Sequence, residues 1–317
     1  MFASYRTAVP HPNPTKIILV PLRVAAISFL NPAPLLFNFE HDPAASTLRS
    51  QYELHYTTPA HCARELHSGS ADLGLIPIAE LTPELAIVPG CTIASLREVR
   101  SILLLVKNPA NLPVGEALSH VTTIATDSAS RSSTAYAHIL FEHFYNTRPT
   151  FTEQRADAVS MLSTSDAALL IGDPALLARQ NRTQIEAEIA SQFDADFDPD
   201  SLLWLDLAAL WRQHTGLPWV AAVWAVRPAA LRLNGITPAQ LAADLITSRD
   251  AGLANIDTLV REWTPRIPIP ADIIRTYLTQ NIHYTLDSDC LRAIEHFRAL
   301  GVQLGALPPL PLLNLLG

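Results

Sequence analysis

The chain has 317 residues, 49% of them apolar and 16% charged, which excludes a disordered chain and is too much for one small core. With 22 basic against 30 acidic residues the net charge is −8, which disfavours a nucleic-acid partner but leaves a small anionic ligand open, because local donors can outweigh the global sign. Cys62, Cys91 and Cys290 are odd in number and far apart, so no disulfide framework or zinc spacing exists and a reducing cytoplasm fits best.

Residues 1–20 read as a loose extension, with the fold starting near Leu22. Their apolar run is broken by Pro21 and Arg23, and neither a cleavage site nor a lipobox cysteine follows. No run of eighteen apolar residues marks a membrane span. "LRVAAISF" is an apolar strand, and "PAPLLFNFE" opens a helix on proline. "YELHYTT" alternates as a strand. A helix then runs to Leu66, capped by Thr57 or Thr58 and ended by Gly69, before the buried strand "ADLGLIP". This strand–helix alternation predicts a parallel sheet with helices on both faces.

A long strand is expected near Val99–Val106 and a second at Trp219–Val226, each closed by an X-Pro pair. Between them lie two further strand–loop–helix units, "VTTIATDSASRSSTAYAHILF" and "DAALLIGDPALLAR". From Pro238 onward the chain reads as helical, with Asp287 or Ser288 capping the last helix and a Pro/Leu-rich tail packing on the body. The economical organisation is two lobes joined by two crossings: residues 21–107 with 225–317, and residues 108–224. A ligand would then lie in the cleft, at the carboxyl ends of strands.

Three places can carry chemistry. In "ATDSASRSST" a strand ends and a helix begins. Ser130, Ser132, Ser133 and Thr134 crowd hydroxyls around free helix-start amides, as a carboxylate cradle requires, with Arg131 as a possible added charge. In "LIGDPAL", Gly172 permits close approach to the backbone. Asp173 reads first as a helix-start carboxylate and second as a ligand contact. Asn31, in "FLNPAPL", ends the first strand where a cleft would lie, on a chain stiffened by Pro32 and Pro34. Ser101 on its own reads as a satisfied strand serine. His61 and His67 are six apart, off the i, i+4 spacing of a ligand pair, and no metal is expected. No nucleotide-binding or catalytic-triad motif occurs.

The set "RVAAISFLNPAPL", "ADLGLIPIAEL", "VRSILLLV", "TDSASRSSTAYAHILF", "AALLIGDPAL" and "TGLPWVAAVWA", continuing to "YLTQNIHYTLDSDCLRAIEHFRALG", resembles a known family from about Leu22 to Leu307. It is the family of the futalosine route to menaquinone that holds the chorismate dehydratases and the 1,4-dihydroxy-6-naphthoate synthases. The resemblance implies a type II periplasmic-binding-protein-like fold, α/β and two-lobed, and a cytoplasmic, cofactor-free hydro-lyase. Chorismate would lose its C3 proton and C4 hydroxyl to give 3-[(1-carboxyvinyl)oxy]benzoate and water. It carries active-site roles onto Asn31 and Ser101, and so moves Ser101 toward function. Neither residue is a base at neutral pH. The expected base is therefore a substrate carboxylate, with Asn31 orienting it and Ser130, Ser132, Ser133 and Thr134 holding the other carboxylate; Gly172 and Asp173 complete the candidate set. The chain departs from the family pattern in its early extension, in Pro32, and in "REVRS" where Gly-Pro is frequent. The competing expectations are the naphthoate synthase and a non-catalytic binding protein of the same fold.

Overall fold

The computed structural model describes residues 20–192, 201–309 and 312–317. Residues 1–19, the bulk of the expected extension, lie outside the described residues. Among the described residues, eleven strands run in chain order: β1 Leu22–Ile27, β2 Tyr52–Thr57, β3 Leu73–Pro77, β4 Ala86–Ser95, β5 Ile102–Lys107, β6 Thr123–Asp127, β7 Thr150–Gln154, β8 Ala167–Ile171, β9 Leu202–Asp206, β10 Trp219–Val226 and β11 His283–Leu286. They form a six-stranded sheet, β11-β4-β10-β3-β1-β2, and a five-stranded sheet, β7-β6-β8-β5-β9. This is the expected two-lobed binding-protein fold.

The first strand–helix units behave as their alternation dictates. β1 pairs in parallel with both β2 and β3. Every residue of β3 and of β8 is buried, which is why both read as continuous apolar runs. The helix Pro59–Ser68 has Thr58 at its N-cap position, without a side-chain cap bond, and ends on Gly69 at φ 79°. The last long helix, Ser288–Gln303, is capped by the Asp287 side chain, which accepts from the Cys290 amide. The C-terminal tail packs on the body: Ile87 donates to the Asn314 carbonyl at 2.7 Å and Leu316 donates to that of Ile87 at 2.9 Å.

Two expectations are corrected. The sheets are mixed, not parallel. β10 inserts antiparallel between β3 and β4, and β5 lies antiparallel between β8 and β9. The sheet membership of the two long strands is the reverse of that expected: β5 belongs to the five-stranded sheet and β10 to the six-stranded one. The chain therefore crosses at residues 96–101 and 216–218, before each strand rather than after it. β4 is not among the strands expected from sequence, and it carries the turn-type pair Pro89-Gly90 within it. Gly90 takes φ 96° and the pairing with β10 shifts register there, so the turn signal is a bulge. No helix among the described residues is long and apolar enough to cross a membrane.

Candidate active site

Between the two sheets lies a cavity of about 50 Å³. Its walls are largely apolar, from Ile27, Phe29 and Ile93 of the six-stranded lobe and Ile102 and Ile171 of the other. Three chain segments bring polar groups to it: the turn after β1, the start of the helix Ser132–Ile139, and the start of the helix Gly172–Gln180.

Asn31 follows β1 and precedes the helix Ala33–Glu40, whose start is fixed by proline. The Asn31 Oδ1 atom is buried and accepts no hydrogen bond. Leaving such an acceptor unpaired costs about 1–3 kcal/mol, so its setting is poised for a ligand donor rather than for stability. Trp219, at the start of β10, also lines the cavity, and its indole N–H is likewise buried without an acceptor.

The hydroxyl cluster is divided by the structure. An Asx-type turn presents it, with Asp127 Oδ1 accepting from the Ala129 amide at 2.9 Å and the Asp127 carbonyl from the Ser130 amide at 2.8 Å. Ser132 and Ser133 line the cavity, at a helix start that has no side-chain cap. Its first amides are therefore free to present partial positive charge. Ser133 is 5% exposed. Ser132 Oγ instead ties the lobes together, donating to the Ala221 carbonyl at 3.0 Å and accepting from the Ala79 amide at 3.3 Å. Ser130 and Thr134 bond each other at 3.1 Å and line a separate groove of about 320 Å³. The four hydroxyls thus do not converge on one point. Arg131 borders both spaces and is occupied by carboxylates, Glu153 at 2.5 Å and Glu80 at 3.6 Å.

Ser101 is buried one residue behind the cavity wall formed by Ile102. Its Oγ accepts from the Tyr277 hydroxyl at 2.8 Å. Burial holds the Tyr277 phenol well above its ordinary range, so it remains a donor. Tyr277 opens a π-helical turn, Tyr277–Asn281, a local irregularity that places its ring against the crossing segment. The path just before Ser101 is held from below. Arg100 takes φ 64°, and Asp206 accepts from the Val99 and Arg100 amides at 3.2 and 2.7 Å while pairing with Arg179 at 3.3 Å. Asp206 is pushed up by burial and pulled back by those amides and the guanidinium.

Gly172 lines the cavity at φ 60°, and the Phe29 ring lies 2.5 Å from where a Cβ would stand. Asp173 is not the cap of its helix; that position is Ile171, without a side-chain cap. Its carboxylate reaches the opposite lobe and accepts from the Leu30 amide at 2.9 Å. Burial pushes Asp173 up to about 6. Sequence reasoning missed Phe29, Trp219 and Tyr277 as neighbours of the site. Each is an ordinary core-type aromatic in its own segment, and only the fold brings it to the cleft.

Among the described residues His283, Asp287 and Cys290 also converge. Their atoms are already used: Asp287 accepts from the Cys290 amide at 2.8 Å and meets His283 Nε2 at 3.0 Å. Burial pushes the Cys290 thiol up to about 12, so it is protonated at neutral pH.

Residues 22–303 match the family model described as menaquinone biosynthesis. The chain belongs to that family. It is 28% identical over 251 residues to a chorismate dehydratase of Thermus thermophilus, covering 78% of this chain and 86% of that one. Among solved structures it is similar to protein AF1704 of Archaeoglobus fulgidus, with 13% identity, 90% and 98% of the two chains covered and a TM-score of 0.64. It is also similar to the alkanesulfonate-binding protein SsuA of Xanthomonas axonopodis pv. citri, solved with MOPS, at 14% identity, coverage of 93% and 96% and a TM-score of 0.62. The Candida albicans CA3427 product, described as exhibiting the generic periplasmic binding protein fold, matches at 14% identity, 92% coverage of both chains and a TM-score of 0.59. At these identities the structural likenesses carry the fold alone.

Proposed function

We propose that the chain is a chorismate dehydratase, converting chorismate to 3-[(1-carboxyvinyl)oxy]benzoate and water. The observation that carries the reading is the Asn31 carboxamide, buried and without a partner for its oxygen, in an interlobe cavity of a chain from the menaquinone-biosynthesis family. Chorismate offers a hydroxyl to satisfy that oxygen and two carboxylates to meet helix-start amides.

The reaction removes a proton from C3 and hydroxide from C4, and aromatisation of the ring supplies the driving force without a cofactor. The enolpyruvyl carboxylate takes the C3 proton and passes it to the departing C4 hydroxide, which leaves as water, so the carboxylate is regenerated. Asn31 orients the reacting face and stabilises charge as it develops. Ser133, with the free first-turn amides of its helix, holds the ring carboxylate, and the Trp219 indole N–H is a further available donor. Ser101, backed by the Tyr277 hydroxyl, retains its own proton for donation toward the cleft. The dry, apolar walls strengthen each of these contacts. Three buried free thiols support a reducing, cytosolic setting.

The test is mass-spectrometric detection of the enolpyruvyl benzoate after incubation with chorismate, with Asn31→Ala in parallel. Wild type is expected to form product, and Asn31→Ala to lose about 10²–10³-fold in kcat. Tight chorismate binding without product would instead mark a non-catalytic binding protein, and turnover of cyclic dehypoxanthine futalosine would mark the naphthoate synthase.

A further inference from the structure

We propose that the Gly172–Asp173 pair is the clamp that positions both Asn31 and Ser101. The two candidate catalytic residues come from opposite sides of the cleft. Asn31 lies on the turn after β1, and Ser101 lies on the crossing into β5. Each is held through its backbone by one member of the same dipeptide. The Gly172 amide donates to the Ser101 carbonyl at 2.8 Å. The Asp173 carboxylate accepts from the amide of Leu30, the residue before Asn31, at 2.9 Å.

Backbone geometry explains why this dipeptide can do both. At φ 60°, Gly172 turns the chain sharply out of β8. Its N–H then faces Ser101 while residue 173 faces the other lobe. The absent side chain leaves the space that the Phe29 ring fills, so residues 29 and 30 dock on residues 172 and 173 as a pair. Asp173 stands in the first turn of its helix but makes no cap there, which frees its carboxylate for Leu30. Asp173 reaches the site only through the amide beside Asn31 and is a positioning residue, while Ser101 stands behind the wall formed by Ile102 and is set by the Gly172 amide. Closure of the lobes and alignment of the Asn31 carboxamide are then one event, because the hydrogen bond that sets the turn exists only when the lobes meet.

The inference rests on the reading of Asn31 as substrate-facing, and the experiment separates the two. Wild type, Asp173→Ala and Asp173→Asn are compared by hydrogen exchange at the Leu30 amide and by steady-state turnover of chorismate, with circular dichroism as the folding control. Asp173→Ala is expected to accelerate Leu30 exchange at least tenfold and to lower kcat about 10²-fold with a smaller change in KM, the cost of a misaligned reacting group. Asp173→Asn keeps an acceptor oxygen in place and is expected to restore both readouts to within about threefold of wild type. Unchanged Leu30 exchange in Asp173→Ala overturns the clamp. So does an Asp173→Asn variant as slow as Asp173→Ala, since that assigns the carboxylate a role other than accepting from Leu30. Should wild type leave chorismate untouched, the substrate assignment falls, and the exchange measurement alone decides the clamp.

Discussion

Asn31, whose side-chain oxygen is buried, and the half-buried Asp173 are both polar groups held against the interests of stability, and they differ in what that costs. The Asn31 oxygen has no partner at all. Replacing Asn31 by Ala removes an unsatisfied acceptor, so the melting temperature is expected to hold or rise while turnover collapses. A fall in both together, read by scanning fluorimetry beside the activity assay, would mean that the side chain serves the fold instead. Asp173 is different: it has a partner, but burial raises it to about 6 from an ordinary value near 4. A raised carboxylate binds its proton more tightly in the folded state, so its penalty begins as pH rises past about 4 and is complete above about 6. Asp173→Asn carries no charge and is expected to be more stable than wild type at pH 8, by on the order of 1–3 kcal/mol. The difference should vanish as pH approaches 4. Urea denaturation at the two pH values measures it, and an equal gap at both refutes the assignment.

At the scale of elements, the crossing segment before β5 is the least comfortable piece of backbone near the site. Arg100 adopts a left-handed conformation that disfavours any side chain, and the bonds from Asp206 and Arg179 keep it there. Arg100→Gly removes the steric penalty and leaves the amide bond to Asp206 intact. It is expected to stabilise the protein by about 0.5–1 kcal/mol in urea denaturation, with little effect on turnover. The two helix starts at the cavity share a trait that the structure reveals, against the sequence reading of Asp173 as a cap. Neither Ser132–Ile139 nor Gly172–Gln180 spends a side chain on capping itself. The hydroxyl-rich composition of the first was legible, but its division between two spaces was not. Which face of a turn each hydroxyl meets depends on where the opposing lobe packs.

For the molecule as a whole, one buried apolar cluster runs through both lobes. Tyr136, from the five-stranded lobe, packs on Trp219 and Phe297 of the other and bonds the Val220 backbone. Beside the turn after β1 the lobes meet more lightly, through the Phe29 ring on Gly172 and the Asp173–Leu30 hydrogen bond, while Ser132 bonds across at Ala221 and Ala79. A cavity of about 50 Å³ admits a water or two, not a bicarboxylate ring, so the lobes must part to admit substrate. The aromatic cluster is the costlier side to break. Phe29 and Ile27 also border an open groove of about 980 Å³ beside β1 and β2. Small-angle scattering of Asn31→Ala is expected to show a smaller radius of gyration with saturating chorismate than without. No change would mean that entry does not involve lobe separation.

Local signals were sufficient for the start of β1, the buried strand β3, the capped last helix and the placing of Asn31 at a strand end, because each depends on periodicity or on a turn residue close in sequence. The order of strands and helices along the chain marked the two-lobed organisation, and the resemblance of its motifs marked the family. Only tertiary structure decided the sheet to which β5 and β10 belong, since an apolar strand buried on both faces fits either sheet equally well. Tertiary structure also decided that β4 bulges through Pro89-Gly90 instead of turning there, and that Asp173 reaches across to Leu30 instead of capping its own helix. A carboxylate takes the donor that burial leaves it, and for Asp173 that donor lies 143 residues away in the chain.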